Sequence, residues 1–220
     1  PTTVVGLPPQ EDYFLGKATE RIFLPLLRTI VPDIEDYDLP LFGAFHNCAF
    51  IKVKKHYPLH ARRLMHAIWG AGQMSWTKSV FVVDDDVDVH DTTAVLAAAV
   101  RNCDPARDVE RVRGPLDILD HAAPYLGAGT KFGLDCTRKL AGESVGTELV
   151  GQSDSTHAGG PHHEKARDSG ADKAKFVEAV AFLSGVLGVA IYADGWLIVR
   201  IDKQAPGQGH AMVNAIARVC

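Results

Sequence analysis

The chain has 220 residues, of which 46% are hydrophobic and 23% charged, and its formal net charge at pH 7 is −4. This composition is that of a globular protein able to bury a sizeable core, and it excludes a basic surface that would bind nucleic acid. No apolar run approaches the roughly 18 residues of a membrane-spanning helix, and no signal peptide is visible.

The four cysteines, at positions 48, 103, 136 and 220, are far apart and form no Cys-x-x-Cys pair. We therefore expect reduced thiols in a cytoplasmic protein, with neither a disulfide framework nor a zinc site. The chain begins at Pro1 without a methionine, which indicates a fragment or a processed piece.

Helices alternate with strands in the first half of the chain. In order, the patterns predict a helix from Gln10 to before Pro32, two strands within residues 33–57, and a helix over 58–69. A strand over 80–83, a helix over 92–101 and an edge strand over 107–113 follow. Pro25 should kink the first helix, and Thr92 or Thr93 should cap the third.

The stretch from Gly70 to Asp91 marks the centre of the domain. Its apolar run, Val80 to Val83, is typical of a strand buried on both faces, and such strands belong to sheets covered by helices. An acidic cluster follows at the strand's carboxyl end, where open α/β sheets commonly place ligand sites. The cluster consists of Asp84, Asp85, Asp86, Asp88 and Asp91. It predicts either a site for a hard cation or, as the favoured interpretation, a solvated strand end that caps the next helix.

The second half carries weaker signals. Residues 114–143 are rich in glycine and proline and predict ordered loops, and within them residues 127–131 resemble a short phosphate-binding loop. Residues 144–170 predict a flexible linker, whose histidines could bind a transition metal but more simply belong to a mobile loop. These histidines are His157, His162 and His163.

An internal repeat links the tail to the first half. A helix over 171–188, a turn at 193–195 followed by a strand, and a helix over 207–218 are predicted. Residues 50–58 match residues 198–206 at an offset of 148, each as a strand, a Lys-x-x-Pro turn and a helix. Either two similar βα units meet the same packing needs, or the tail adds a second βα unit that packs like the first.

Taken alone, these motifs give an α/β domain of unknown activity, because no nucleophile elbow, Walker loop or dinucleotide fingerprint occurs. Read together, however, many stretches resemble the C-terminal region of UbiD-type decarboxylases, of the 3-octaprenyl-4-hydroxybenzoate carboxy-lyase type, in order and spacing over residues 1–143. The matching stretches are Pro8–Asp12, Leu15–Arg21, Phe45–Asn47, Ala67–Gly70, Gly72–Met74, Thr77–Lys78, Val83–Asp88, Asp104–Asp108, Pro115–Asp117, Leu119–Asp120, Gly129–Thr137 and Gly142–Glu143.

We therefore expect a layered α/β domain, residues 1–143, with a mixed sheet covered by helices. The linker and an α-β-α tail over residues 171–220, packed on the main domain, would follow it. The resemblance implies a homo-oligomer that decarboxylates an aromatic or α,β-unsaturated carboxylic acid reversibly and without oxidation. It also implies prenylated FMN as cofactor, with Mn²⁺ (or Mg²⁺) and K⁺ at its phosphate.

The family's catalytic Arg–Glu–Glu constellation and its metal ligands belong upstream of the matched region. No catalytic or metal-ligating residue is therefore expected in this chain. The resemblance implies that Leu15 and Leu116 face the substrate pocket, that Lys78 reaches the cofactor phosphate, and that the aspartate cluster is structural or interfacial. Two alternatives stay open: a stand-alone assembly module that completes a separate catalytic subunit, and an unrelated metal-binding α/β domain.

Overall fold

A computed structural model describes residues 10–44, 47–118, 120, 122–143, 170–193 and 195–219. The chain divides into two units, Pro1–Leu149 and Val150–Cys220. The predicted linker lies outside the described residues, its three histidines included, except for Gly170, which begins a helix. Among the described helices, none is both long and apolar enough to cross a membrane.

The described part of the first unit contains three helices and five strands. In chain order they are α1 (Gln10–Ile30), β1 (Ile34–Asp38), β2 (Cys48–Val53), α2 (His60–Trp69), β3 (Ser79–Asp84), α3 (Thr92–Asn102), β4 (Val109–Pro115) and β5 (Ala128–Asp135). Short 3₁₀ turns cover Leu41–Gly43 and Gly72–Trp76. Within residues 170–219 the second unit shows α4 (Gly170–Ala181), β6 (Val186–Tyr192), β7 (Trp196–Ile201) and α5 (Gln208–Ile216).

The first unit is built on a five-stranded sheet in the order β1-β2-β3-β5-β4. The inner strands β2, β3 and β5 run parallel, while β1 and β4 pair antiparallel at the two edges. The sheet is therefore mixed and covered by helices, which confirms the predicted α/β class. The predicted strand over 80–83 is β3, at the middle of the sheet, and Val80, Val82 and Val83 are fully buried.

The main core lies where α1 and α2 cover the sheet. Leu27 of α1, Val31 directly after that helix, and Leu64 and Ile68 of α2 belong to one buried cluster with Ile51 of β2. The buried face of α2 and the burial of β3 on both faces agree with their apolar patterns, whereas on α1 the apolar residues at helical spacing, such as Ile22 and Leu26, lie exposed.

Strand β5 corrects the prediction of loops over residues 114–143. It lies between β3 and β4, with Gly133 beneath α2, where an added Cβ would lie 2.5 Å from the Met65 sulfur. Residues 127–131 form no phosphate-binding loop, because they lead into this strand and Lys131 is buried, with its Nζ donating to the Ser75 carbonyl.

Two further expectations differ from the structure. The Asp91 carboxylate caps α3 by accepting a 2.8 Å hydrogen bond from the Thr93 N–H, so neither threonine is the capping residue. In the tail, α4 ends at Ala181 and residues 186–192 form β6, which pairs antiparallel with β7. The tail therefore contains a β-hairpin where a longer helix and one strand were predicted.

Candidate functional site

A cavity of about 740 Å³ opens where α1 meets the end of β1 and the start of α3. Charged side chains from distant parts of the chain line it: Lys17 and Glu20 of α1, Asp38 of β1, and His90 from the turn before α3. Asp38 and Glu20 are buried, at 4% and 3% exposure, so their charges have to be balanced within the protein.

Two cations provide this balance. The Lys17 ammonium lies 2.8 Å from Glu20 Oε1 and also bonds Asp38. The His90 ring lies 2.8 Å from Asp38 through Nδ1 and 3.1 Å from Asp36 through Nε2. Glu20 additionally accepts a 2.6 Å hydrogen bond from the Leu39 N–H, which ties α1 to the end of β1.

The protonation of the cluster follows from these contacts. Burial disfavours the charged imidazolium of His90, but the hydrogen bonds to Asp38 and Asp36 outweigh it and raise the pKa of the ring. Both ring nitrogens face carboxylates, and the imidazolium is the form of the ring in which both can donate. Burial likewise opposes ionisation of Lys17, yet its bonds to Asp38 and Glu20 raise its pKa, while burial raises the pKa of Glu20.

The same cluster is the one place in the described residues where three potential metal ligands converge. Ligand atoms of Glu20, Asp38 and His90 lie within 4.8 Å of one another. A divalent cation does not fit this arrangement, because Lys17 already bridges both carboxylates and both nitrogens of His90 are engaged. The cluster is an ion-pair network that fixes α1 to β1 and to the start of α3.

The outward side of α1 is apolar, and none of the described residues covers it. Exposed side chains recur every four residues along it and so lie on one face of the helix. They are Phe14, Ala18, Ile22, Leu26 and Ile30, and we call them the α1 stripe. Ile22 is 64% exposed. Leu26 and Ile30 also line an apolar cavity of about 180 Å³ between α1 and the Gly72–Trp76 turn. A face of this kind is typical of a surface that meets another protein segment.

The three residues predicted from the resemblance occupy different environments, and none lines either cavity. Leu15 lies beside the α1 stripe and is 54% exposed. Leu116 is buried, and its Cδ1 lies 2.7 Å from the place of a Cβ on Gly129. Lys78 forms a 2.7 Å ion pair with Asp120, which lies in the loop that follows Leu116. Lys78 and Leu116 therefore lie near the same loop, whereas Leu15 lies on α1.

Members of the aspartate cluster have protein partners. Asp84 accepts a 2.8 Å hydrogen bond from the Arg138 N–H, Asp86 pairs with the Arg138 guanidinium at 2.7 Å, and Asp91 caps α3. These contacts join the ends of β3 and β5 and support the interpretation of the cluster as structural.

The sequence gives only part of the Lys17 network in advance. Lys17 and Glu20 lie three residues apart on a predicted helix, which favours an ion pair. Asp38 and His90 are 52 residues apart and carry no common pattern, so their contact follows only from the packing of the turn against β1.

The comparisons with known proteins cover the same first unit. A family model described as 3-octaprenyl-4-hydroxybenzoate carboxy-lyase C-terminal domain matches residues 13–136. An uncharacterized protein of Archaeoglobus fulgidus is 52% identical over 147 residues, and one of Aquifex aeolicus is 48% identical over 147 residues. These matches cover 66% and 67% of this chain but only 31% and 30% of the two relatives, so the chain spans about a third of their length.

Two solved structures share the fold. The UbiD-class enzyme HmfF from Pelotomaculum thermopropionicum, in complex with FMN, superposes with a TM-score of 0.54 at 27% identity, covering 62% of this chain and 31% of that enzyme. The vanillic acid decarboxylase of Sedimentibacter hydroxybenzoicus gives 0.57 at 23% identity, over 67% and 32%. Since the family model spans more than half of the chain, the resemblance is confirmed: this chain belongs to the family of UbiD (3-octaprenyl-4-hydroxybenzoate carboxy-lyase) C-terminal domains.

Proposed function

We propose that this chain is the C-terminal part of a UbiD-type decarboxylase that acts reversibly on an aromatic or α,β-unsaturated acid of the quinone-precursor kind. It would contribute one wall of the substrate pocket and part of the oligomer interface. The observation that carries the proposal is the α1 stripe, an apolar helix face that no described residue covers, in a chain that spans about a third of its relatives. A face of this kind needs a covering segment. Residues 10–143 alone would then be inactive.

The flavin and the metals would belong to the upstream part. HmfF was solved with FMN, and we propose prenylated FMN, with Mn²⁺ (or Mg²⁺) and K⁺, for the whole enzyme. The described residues do not fit these groups, because Lys17 fills the three-ligand cluster and Asp120 neutralises Lys78. What the described residues can supply is a rigid apolar wall that excludes water from a site built elsewhere.

Among the pocket residues, Leu15 is the one we propose to touch substrate. It is half exposed next to the α1 stripe, and the Lys17 network fixes the same turn of α1 to β1. Leu116 and Lys78 stay predictions, since their side chains are engaged by the Gly129 region and by Asp120.

The test measures isotope exchange from ¹³C-bicarbonate into a panel of aromatic and unsaturated acids. The full-length protein should catalyse exchange with at least one acid, and the isolated chain with none. In the full-length protein, Leu15→Ala should change the ratio of kcat/KM between a small and a large acid about 10-fold, as expected for one altered pocket contact. Leu126→Ala, at a residue 84% exposed and outside α1, is the matched control. Exchange by the isolated chain, or an unchanged ratio in the Leu15 variant, would refute the proposal.

The assembly module is the second candidate, and the α1 stripe supports it equally. It differs in that the upstream part would be a separate subunit, which the chain binds in trans. A pull-down with the upstream two thirds of the Archaeoglobus fulgidus relative tests this: binding that Ile22→Asp abolishes would favour the assembly role. The predicted homo-oligomer, the cytoplasmic location and the absence of nucleic-acid binding remain proposals, argued from the resemblance, the cysteines and the net charge of −4.

A further inference from the structure

Two cysteines meet where the end of α3 lies against the end of β5. Cys103 directly follows α3, and its N–H donates a 3.0 Å hydrogen bond to the Ala99 carbonyl. Cys136 directly follows β5, and its N–H donates a 2.9 Å hydrogen bond to the Val82 carbonyl of β3. The Asn102 side-chain amide donates to the Cys136 carbonyl at 3.0 Å and so joins the two segments. The backbone on both sides of the pair is therefore held in place.

The two thiols are in contact but differ in their access to solvent. Their side chains are hydrogen-bonded to each other, and both are free thiols. Cys136 is 0% exposed, whereas Cys103 is partly exposed among the described residues. A small reagent therefore reaches the sulfur of Cys103 first, and that sulfur already touches the second thiol.

The charges around the pair make the two sulfurs chemically unequal. The hydrogen bond from Cys136 lowers the pKa of Cys103, and the Lys139 ammonium adds to this effect, against burial and the carboxylates of Asp108 and Asp135. The same hydrogen bond, together with burial, raises the pKa of Cys136. Lys139 is kept beside the pair by ion pairs of 3.1 Å to Asp135 and 3.4 Å to Asp108. Cys103 is thus the nucleophile of the pair, and Cys136 keeps its proton.

We propose that Cys103 and Cys136 are a redox-active dithiol, which hydrogen peroxide oxidises to an intramolecular disulfide. The Cys103 thiolate attacks one peroxide oxygen, so that an S–O bond forms, the O–O bond breaks and hydroxide leaves. The Cys136 sulfur then attacks the Cys103 sulfur, the S–O bond breaks, and the Cys136 proton leaves with the hydroxyl group as water. The two thiols together lose two electrons, and the peroxide gains them.

The bridge fits the folded unit, because both sulfurs already touch and the Asn102 amide holds their segments together. It would close the segment 103–136, which carries β4, β5 and the loop between them. Closing such a loop restricts the unfolded chain, so oxidation should stabilise the first unit. None of the three predicted pocket residues takes part. The dithiol is therefore independent of the proposed decarboxylase, and either proposal can fail without the other.

The experiment treats the reduced full chain with hydrogen peroxide, then alkylates it with iodoacetamide and maps its peptides by mass spectrometry. We expect a cross-linked pair of peptides that contain Cys103 and Cys136, and dithiothreitol should release it. Cys103 should be lost at least ~10-fold faster than Cys48, because Cys48 is buried and its burial raises its pKa to about 12.

Two serine variants separate the roles of the sulfurs. In Cys136→Ser the oxidised Cys103 has no thiol to condense with, so dimedone should trap it as a sulfenic acid and no bridge should form. Cys48→Ser is the matched control, since it makes the same substitution at another buried cysteine, and it should keep the bridge. Circular dichroism should confirm that both variants are folded.

Urea unfolding of the native chain gives a second readout that does not depend on a variant's folding. The midpoint should rise on oxidation and return with dithiothreitol. The proposal would be overturned if both cysteines still react with iodoacetamide after the peroxide treatment, or if Cys103 forms a sulfinic acid while Cys136 stays reduced. A disulfide that joins two chains instead, or a bridge that leaves the midpoint unchanged, would also overturn it.

Discussion

Glu143→Gln should destabilise the first unit strongly, because this carboxylate joins three parts of it. Glu143 and Lys55 both have side chains only 3% exposed, and their charged atoms are 2.6 Å apart. The same carboxylate accepts hydrogen bonds of 2.6 Å from the N–H groups of Leu59, which precedes α2, and Leu140. It therefore fixes the end of β2, the start of α2 and the segment after β5.

The expected magnitude follows from counting acceptors. Glutamine has one acceptor oxygen, so if that oxygen keeps the Lys55 and Leu140 contacts, its NH₂ group faces the Leu59 N–H as donor against donor. Removing one partner of a buried ion pair costs about 3–5 kcal/mol. Lys55 keeps the Thr137 hydroxyl at 2.9 Å and the Arg138 carbonyl at 3.1 Å. We therefore expect a loss near the lower end of that range, about 3 kcal/mol.

Urea unfolding at pH 7, followed by the exchange of β2 and β5 amides, measures this loss in the first unit alone. Asp86→Asn is the matched control, since Asp86 and Arg138 also form an ion pair but are 57% and 61% exposed. An exposed pair should cost less than about 1 kcal/mol. A Glu143→Gln loss no larger than that of the control would refute the reasoning from burial.

The pH dependence gives the same prediction a second check. Burial disfavours ionised Glu143, but the hydrogen bonds from Lys55, Leu140 and Leu59 outweigh it and lower its pKa below 4.5. The stabilisation is thus complete above the unfolded pKa and lost as the pH falls through the lower, folded pKa. The difference in unfolding free energy between the native protein and Glu143→Gln should become smaller below pH 4.5 and stay constant from pH 6 to 8.

Three further predictions concern other parts of the fold. Gly133→Ala should lower the unfolding free energy by about 1–3 kcal/mol, since the added Cβ would lie 2.5 Å from the Met65 sulfur. Gly209→Ala is the control and should not lower it, because an added Cβ there has no atom within 4 Å. Burial lowers the pKa of Lys131 from 10.5 to about 8, so the unfolded chain binds more protons between these values. The urea midpoint should therefore rise with pH there, and Lys131→Met should abolish the rise. The neighbouring aspartates raise the pKa of His90, so its NMR titration midpoint should exceed 6.5, and the stabilisation it provides should disappear as the pH rises through that midpoint.

The sequence predicts the central strands and the helices of the first unit because their signals are local. Val80 to Val83 are apolar on both faces, as a strand in the middle of a covered sheet has to be. Strand β5 is also an inner strand of the sheet, but the sequence predicts loops there because glycine at positions 129 and 133 weakens the strand signal. An added Cβ would meet Leu116 and Pro124 at Gly129, and Met65, 68 residues away in the sequence, at Gly133.

The repeat in the tail shows that a local sequence pattern can predict a strand without predicting its burial. Residues 48–53 and 196–201 each form a strand that pairs antiparallel with the strand before it, and each pairing shifts register after its first pair. The local pattern therefore determines the element. Burial does not follow, since Phe50 is 0% exposed and Ile198 53%. In the first unit β3 pairs with the second edge of β2, and β5 follows β3. Among the described residues no strand other than β6 pairs with β7, which accounts for the difference in burial. A strand that matches a buried one in sequence can therefore keep an exposed apolar side chain where no second described strand pairs with it.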